Sequence, residues 1–192
     1  MPAPETRDRI LEAADALIYR QGFAPTSFAD IAAAVGLSRG NFYYHFRSKD
    51  AILDAVIARR QAATRAMLAQ WEAQDPDPAA RIRAFIDILA RNRSAIIAHG
   101  CPVGTLSNEL AKLGHPLHGP ARDIFALFRD WLAAQFAALG LGDRAEALAL
   151  HLLARSQGVA TLATAFGAAA FVQAEIDDMK AWLDARLAEG KG

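Results

Sequence analysis

Apolar residues recur every three to four positions along almost the whole chain, and nowhere does a run of β-branched residues alternate with period two. Ile10, Leu11, Ala14, Leu17 and Ile18 trace one stripe, with Gly22 placed to end that helix and Phe23 to pack back on it. Ile52, Leu53, Val56, Ile57, Ala63 and Met67 carry a second stripe, running from Ser48 towards Trp71. Asp75-Pro76-Asp77-Pro78 breaks it, because each proline disfavours helix at the residue before it. Ile82, Phe85, Ile86 and Leu89 follow, then a loop from His99 to Pro102 and a short helix over Thr105 to Lys112. After a break at Gly114-His115-Pro116, Ile124, Phe125, Phe128, Trp131, Leu132 and Phe136 form a broad apolar face. Residues 143–166 and 171–187 supply two last helices. A chain patterned this way folds as all-α.

The 192 residues suit one or two domains, and 53% hydrophobic against 22% charged excludes disorder. A single cysteine excludes a disulfide scaffold and any Cys-x-x-Cys redox or zinc motif. Lys plus Arg equal Asp plus Glu at 21 each, which excludes a globally basic coat for nucleic acid but leaves a local basic face open. The charged start is no signal peptide. Ser156 to Ala174 carry no charge over about a membrane-spanning length, yet they are mostly small residues. They read as helix faces packed inside protein. The expectation is a soluble, cytoplasmic chain with no membrane segment.

The informative stretch is Thr26 to Ala51, TSFADIAAAVGLSRGNFYYHFRSKDA. Ser27 with Asp30 forms a capping box that opens a short helix with Phe28, Ile31, Ala32 and Val35 facing inward. Gly36 closes that helix and permits the positive φ of a tight turn. Ser38 caps a second short helix, Arg39 to Tyr44, of a size to enter the major groove. Phe42 and Phe46 face inward, which leaves Arg39, Asn41, Tyr43, Tyr44 and His45 on the other side. Arg pairs bidentately with guanine, and Asn with adenine. Gly40 lets the helix start approach the duplex, and Tyr43, His45 and Lys49 can donate to phosphates. The helix capped by Ser48 aims its first N–H groups at the same backbone. Acidic residues outnumber basic ones by two in residues 1–38. In residues 39–65, Arg39, Arg47, Lys49, Arg59, Arg60 and Arg65 outnumber Asp50 and Asp54 by four.

These residues, together with Gly22-Phe23, Ile31-Ala32, Val35-Gly36-Leu37 and Ser48-Lys49-Asp50-Ala51-Ile52-Leu53, resemble the DNA-binding domain of the tetracycline-repressor (TetR) family across residues 5–55. The resemblance implies three N-terminal helices for DNA (residues 1–47) and a helical effector-binding and dimerisation domain (residues 48–192). It implies a homodimer that represses transcription at a palindromic operator in double-stranded DNA and leaves it when a small molecule binds. By the family pattern Ser38, Arg39, Gly40, Asn41 and Tyr44 face bases, and Thr26, Tyr43, His45 and Lys49 hold phosphates. Ser27 belongs to the same face. Arg39-Gly40-Asn41-Phe42-Tyr43 departs from the Lys-Gly-Thr/Ala-Leu/Phe-Tyr of many relatives, so no relative's operator transfers to this chain.

Beyond residue 55 the resemblance weakens. Phe85, Leu89, Leu106, Leu110, Phe125, Phe128 and Trp131 are the candidate lining of an apolar effector cavity. Gly100-Cys101-Pro102-Val103-Gly104 with Glu109-Leu110 resembles a pattern in one branch of the family, some of whose members respond to electrophiles or oxidants. Cys101 beside His99 is therefore an alternative sensor thiol. A metal-responsive alternative would draw on His99, Cys101, His115 and His118, although the prolines between them keep their spacing off one helix. The last two helices are the candidate dimer bundle, with Ala160, Ala163, Thr164 and Ala168 allowing close approach. No nucleophile elbow, P-loop or glycine-rich dinucleotide motif accompanies His151 and Ser156, so neither an enzyme nor a cofactor is expected.

Overall fold

The computed structural model describes residues 3–189, and among them every regular element is helical. In chain order these are α1 (Ala3–Gln21), α2 (Phe28–Val35), α3 (Arg39–His45), α4 (Lys49–Gln74), α5 (Pro78–Ile86), α6 (Ile88–Arg91) and α7 (Arg93–His99). There follow α8 (Pro102–Lys112), α9 (His118–Ala138), a 3₁₀ turn at Gly142–Arg144, α10 (Ala145–Phe166) and α11 (Ala169–Glu189). The chain packs as two compact units that interleave in sequence. One takes the residues up to 62 together with 102–124; the other takes 63–101 together with those from 125 onward.

The first unit is built around the stripe of α1. Ile10, Leu11 and Ala14 are buried with Ile31, Ala32 and Val35 of α2, Phe42 of α3, Phe46, and Ile52 and Val56 of α4. At roughly 1.5–3 kcal/mol for each fully buried large apolar side chain, this cluster is the main force holding the two short helices α2 and α3, of 8 and 7 residues, which could not persist alone. The helix ends are set by local chemistry. Gly22 stops α1 at φ +93°, and Gly36 stops α2 at φ +68° with its N–H on the carbonyls of Ala32 and Ala33. Ser48 Oγ accepts the Ala51 N–H at 3.0 Å and so starts α4.

In the second unit, Ile82, Phe85, Ile86 and Leu89 pack with Trp131, Leu132 and Phe136 of α9, Leu148 and Leu152 of α10, and Ile176, Met179 and Leu183 of α11. Asp77 caps α5 by accepting the Ala79 N–H at 2.9 Å, and Pro78 occupies the first helical position, where a missing N–H costs nothing. The run after Pro78 is three short helices rather than one, turning at Asp87 and Asn92. α8 starts three residues before the expected Thr105, because Pro102 suits the first turn of a helix.

Ala160 and Ala163 are buried in this unit's own core, and Thr164 Oγ1 donates to the Ile96 carbonyl of α7 at 2.7 Å. Ala160 and Ala163 let α7 and α10 approach within one chain, which corrects the assignment of these two alanines to a dimer contact. The uncharged 156–174 stretch is divided by Gly167 between α10 and α11, and among the described residues no helix is long and apolar enough to cross a membrane.

Candidate nucleic-acid interface

Ser38 has the extended backbone of an N-cap residue, and its carbonyl accepts the Phe42 N–H at 3.0 Å. Its hydroxyl makes no capping bond and stands exposed. Phe42 is buried, and so is Phe46, which follows the helix in extended backbone. Burying these two rings turns the rest of α3 outward. Gly40, Asn41, Tyr43 and Tyr44 are exposed and His45 is half-buried. The Arg39 side chain lies outside the described residues.

Two features of that face have no structural use among the described residues. Tyr44 is 80% exposed, and among the described residues its ring meets only that of His45, edge to face at 5.2 Å. A Cβ on Gly40 would meet nothing within 4 Å, so nothing in the fold requires the bare backbone there. The exposed Tyr44 and the bare backbone of Gly40 leave this face of α3 open to solvent. Tyr43, also exposed, is steadied by stacking on Phe28 with centroids 5.2 Å apart and planes 16° from parallel.

The flanking residues are held inside the fold to differing degrees. Ser27 Oγ accepts the Asp30 N–H at 3.1 Å, while Asp30 Oδ2 accepts the Ser27 N–H at 2.8 Å, so the capping box is complete. Thr26 is 1% exposed; its hydroxyl donates to the Gly22 carbonyl at 2.6 Å and accepts from Gln21 Nε2 at 3.2 Å. Lys49 Nζ donates to the Ala24 carbonyl at 3.0 Å and sits 4.1 Å from the centre of the Phe23 ring. Glu109 of α8 accepts the N–H groups of both Phe23 and Ala24 at 2.8 Å. Sequence reasoning missed Glu109 as part of this site. Its only signal was its place in the glycine-cysteine pattern, which does not say where the carboxylate goes.

The basic excess in residues 39–65 is smaller in space than in sequence. Arg59 pairs with Glu12 at 3.0 Å, and Arg60 pairs with Asp15 while also donating to the Pro102 carbonyl at 2.6 Å. These two arginines join α4 to α1 and α8. Arg47, two residues past the end of α3, stays exposed.

Two groups have displaced titrations. Hydrogen bonds from the Ser27 side chain and backbone hold the Asp30 carboxyl below its ordinary 3.8. Partial burial pushes the Lys49 ammonium down, against the opposing pull of Glu109, Asp50 and Asp30. A carboxylate with a lowered folded value stabilises above its unfolded value and loses that contribution as pH falls through the folded one. Thermal melts of parent and Asp30→Asn at a series of pH values should therefore show a gap that is full above pH 3.8 and closes below it. A gap that is constant down to pH 2 or so would contradict the capping role.

Of the expected effector residues, Phe85, Leu89 and Trp131 are buried in the second unit's core, with Phe128 and Cys101 half-buried against it. Phe85 and Phe128 meet edge-on at 5.6 Å. Phe125 is half-buried in the same unit, whereas Leu106 and Leu110 are buried in the first. A cleft of about 470 Å³ in the first unit, between α1 and α4, is lined by none of them; Arg7, Leu11, Glu12, Ala55 and Arg59 are among its walls. Among the described residues no three His, Cys, Asp or Glu side chains gather as metal ligands, so His99, Cys101, His115 and His118 do not form the set a metal-responsive regulator would need.

Residues 10–56 match the model of the bacterial regulatory proteins of the tetR family. The chain is 32% identical over 157 residues to an uncharacterized HTH-type transcriptional regulator in the lacX 3' region of Lactococcus lactis subsp. lactis, covering 80% of each chain. It is 31% identical over 109 residues to the HTH-type transcriptional regulator TtgR of Pseudomonas putida, covering 52% of each. Its fold matches the crystal structure of a TetR transcriptional regulator from Legionella pneumophila at a TM-score of 0.81, with 25% identity and 97% of both chains covered. This chain belongs to the TetR family. It is a DNA-binding transcriptional regulator and not an enzyme.

Proposed function

We propose that the chain acts in the cytoplasm as a homodimer that represses transcription from an inverted-repeat operator and releases it when a small organic molecule binds. The observation that carries the reading is the outward face of α3, where Gly40, Asn41 and Tyr44 are exposed without a structural task. Ser38, Arg39, Gly40, Asn41 and Tyr44 face the bases, with Arg39 and Asn41 suited to bidentate contacts. Tyr43 and His45 bond the sugar-phosphate backbone, and Thr26, Ser27 and Lys49 hold the turn and helix start that set the register. In functional terms residues 1–47 read DNA and residues 48–192 bind effector and partner.

Support for the dimer comes from α10. Leu150, Ala154, Gly158, Leu162 and Phe166 recur every four residues and are all exposed, Phe166 at 76%. A stripe of this width on a long helix fits a two-fold contact with a second copy. A two-fold pair then presents two reading helices a whole number of DNA turns apart. For the effector, Phe85, Leu89, Phe125, Phe128 and Trp131 offer aromatic and aliphatic walls in the second unit.

Random-site DNA selection with ligand-stripped protein, combined with light scattering, tests this reading. The expected result is an enriched inverted repeat bound by a dimer, with affinity falling steeply as salt rises. Selection that enriches no site, or a monomer bound to a single half-site, would overturn it.

A further inference from the structure

We infer that Glu109 is a positioning residue for DNA reading: its carboxylate closes on the turn between α1 and α2 and so sets the pose of the two helices that follow. The inference rests on the reading proposed above and deepens it.

Glu109 stands 85 residues from the turn it grips. Its Oε2 accepts from the Phe23 N–H and its Oε1 from the Ala24 N–H, each at 2.8 Å. Both oxygens are thus used on adjacent backbone donors, and hydrogen bonds to an ionised acceptor are roughly twice as strong as neutral ones. The chain bends at Gly22 with φ +93°, and a Cβ there would stand 3.1 and 3.2 Å from the two carboxylate oxygens. Turn and carboxylate are therefore shaped to each other, and any other residue at position 22 would push them apart.

The turn is held from other directions too. Lys49, the first residue of α4, donates to the Ala24 carbonyl and lies over the Phe23 ring, and its charge is coupled to that of Glu109. The Phe23 ring also meets the edge of His115 at 5.2 Å, and His115 Nε2 is 3.5 Å from Asp50 of α4. Glu109 and Lys49 together hold the N–H and carbonyl sides of one residue, Ala24.

Position follows from connectivity. Two residues after Ala24 comes Thr26, whose hydroxyl is bonded back to Gly22, and next Ser27, the cap of α2. α2 leads through Gly36 directly into α3. A tilt of the turn is therefore a tilt of the reading face. Glu109 needs no contact with DNA to affect how DNA is read.

The test uses the full chain and the inverted repeat selected by the parent. In Glu109→Gln the side chain keeps its shape but offers one acceptor and turns an NH₂ towards the other N–H, so the grip cannot close. Glu109→Ala removes it altogether. The expected result for both is roughly ten-fold or greater loss of affinity per active dimer, the active fraction being fixed by stoichiometric titration. Amide exchange by NMR should quicken at Phe23 and Ala24 while Phe42 stays protected. If Glu109→Ala does not fold, the glutamine variant decides. Affinity per active dimer equal to the parent's, with only melting temperature or active fraction reduced, would show a purely structural residue and overturn the inference alone. A parent that selects no DNA would overturn both this inference and the reading beneath it.

Discussion

Asn41→Ala and Tyr44→Ala should each leave the thermal midpoint within about 2 °C of the parent, as for exposed positions away from the core, while weakening operator binding by roughly a hundredfold. Both side chains are exposed and outside the core cluster, so their loss removes little from the fold. A bidentate contact from Asn41 to a base is worth about 1–3 kcal/mol of discrimination, Tyr44 offers a base edge its hydroxyl and ring, and a two-fold dimer loses either contact at both half-sites. Fluorescence anisotropy with labelled operator, run beside a calorimetric melt, separates the two quantities. Variants that bind as the parent does would remove α3's outer face from the reading surface. A loss that is equal for every DNA sequence would instead assign these side chains to the phosphate backbone.

Phe42→Ala, inside the same helix, should do the reverse. Its ring is 1% exposed and meets Phe28 edge-on with centroids 4.8 Å apart. Truncating a buried Phe costs about 3–5 kcal/mol, because the contacts are lost and a short, crowded helix cannot collapse into the hole. Against typical domain stabilities of about 5–15 kcal/mol, that is a large share. The urea midpoint of the first unit should fall clearly, and operator binding should fail as that unit unfolds, then return in part on cooling towards the temperature of maximum stability. An unchanged urea midpoint would mean that the reading helix is not held by this ring.

Much of the fold was legible because its signals are local. Ser27 and Asp30 are three residues apart and form the box their spacing implied, and Gly36 takes the positive φ expected of it. The tandem Asp-Pro pairs at 75–78 break the helix where proline chemistry says they must. Other features carry no such mark. Asp87 and Asn92 break the run after Pro78 without the glycine or proline that would mark such turns in the sequence. Ala160 and Ala163 look alike in sequence whether they meet their own core or a second copy, and only the fold tells these apart. The role of Glu109 depends on a pairing across 85 residues, which a single sequence does not encode in any periodicity. Thr26 is a phosphate-holding residue by the family pattern, yet its hydroxyl is bonded inside the fold and the residue is buried.

The interleaving of the two units has a consequence for how the protein is made. The first unit takes residues up to 62 and then 102–124, so a nascent chain that has just delivered its helix-turn-helix lacks the helix that carries Glu109. At about 5–20 residues per second, the ribosome needs a few further seconds to supply it. During that interval the Phe23 and Ala24 amides have no carboxylate to bond, and Arg60 lacks the Pro102 carbonyl. The part of the molecule that meets DNA is begun first but completed only after the first stretch of the second unit has been synthesised. A regulator assembled in this order lacks part of the bonding around its helix-turn-helix until more than half of the chain exists.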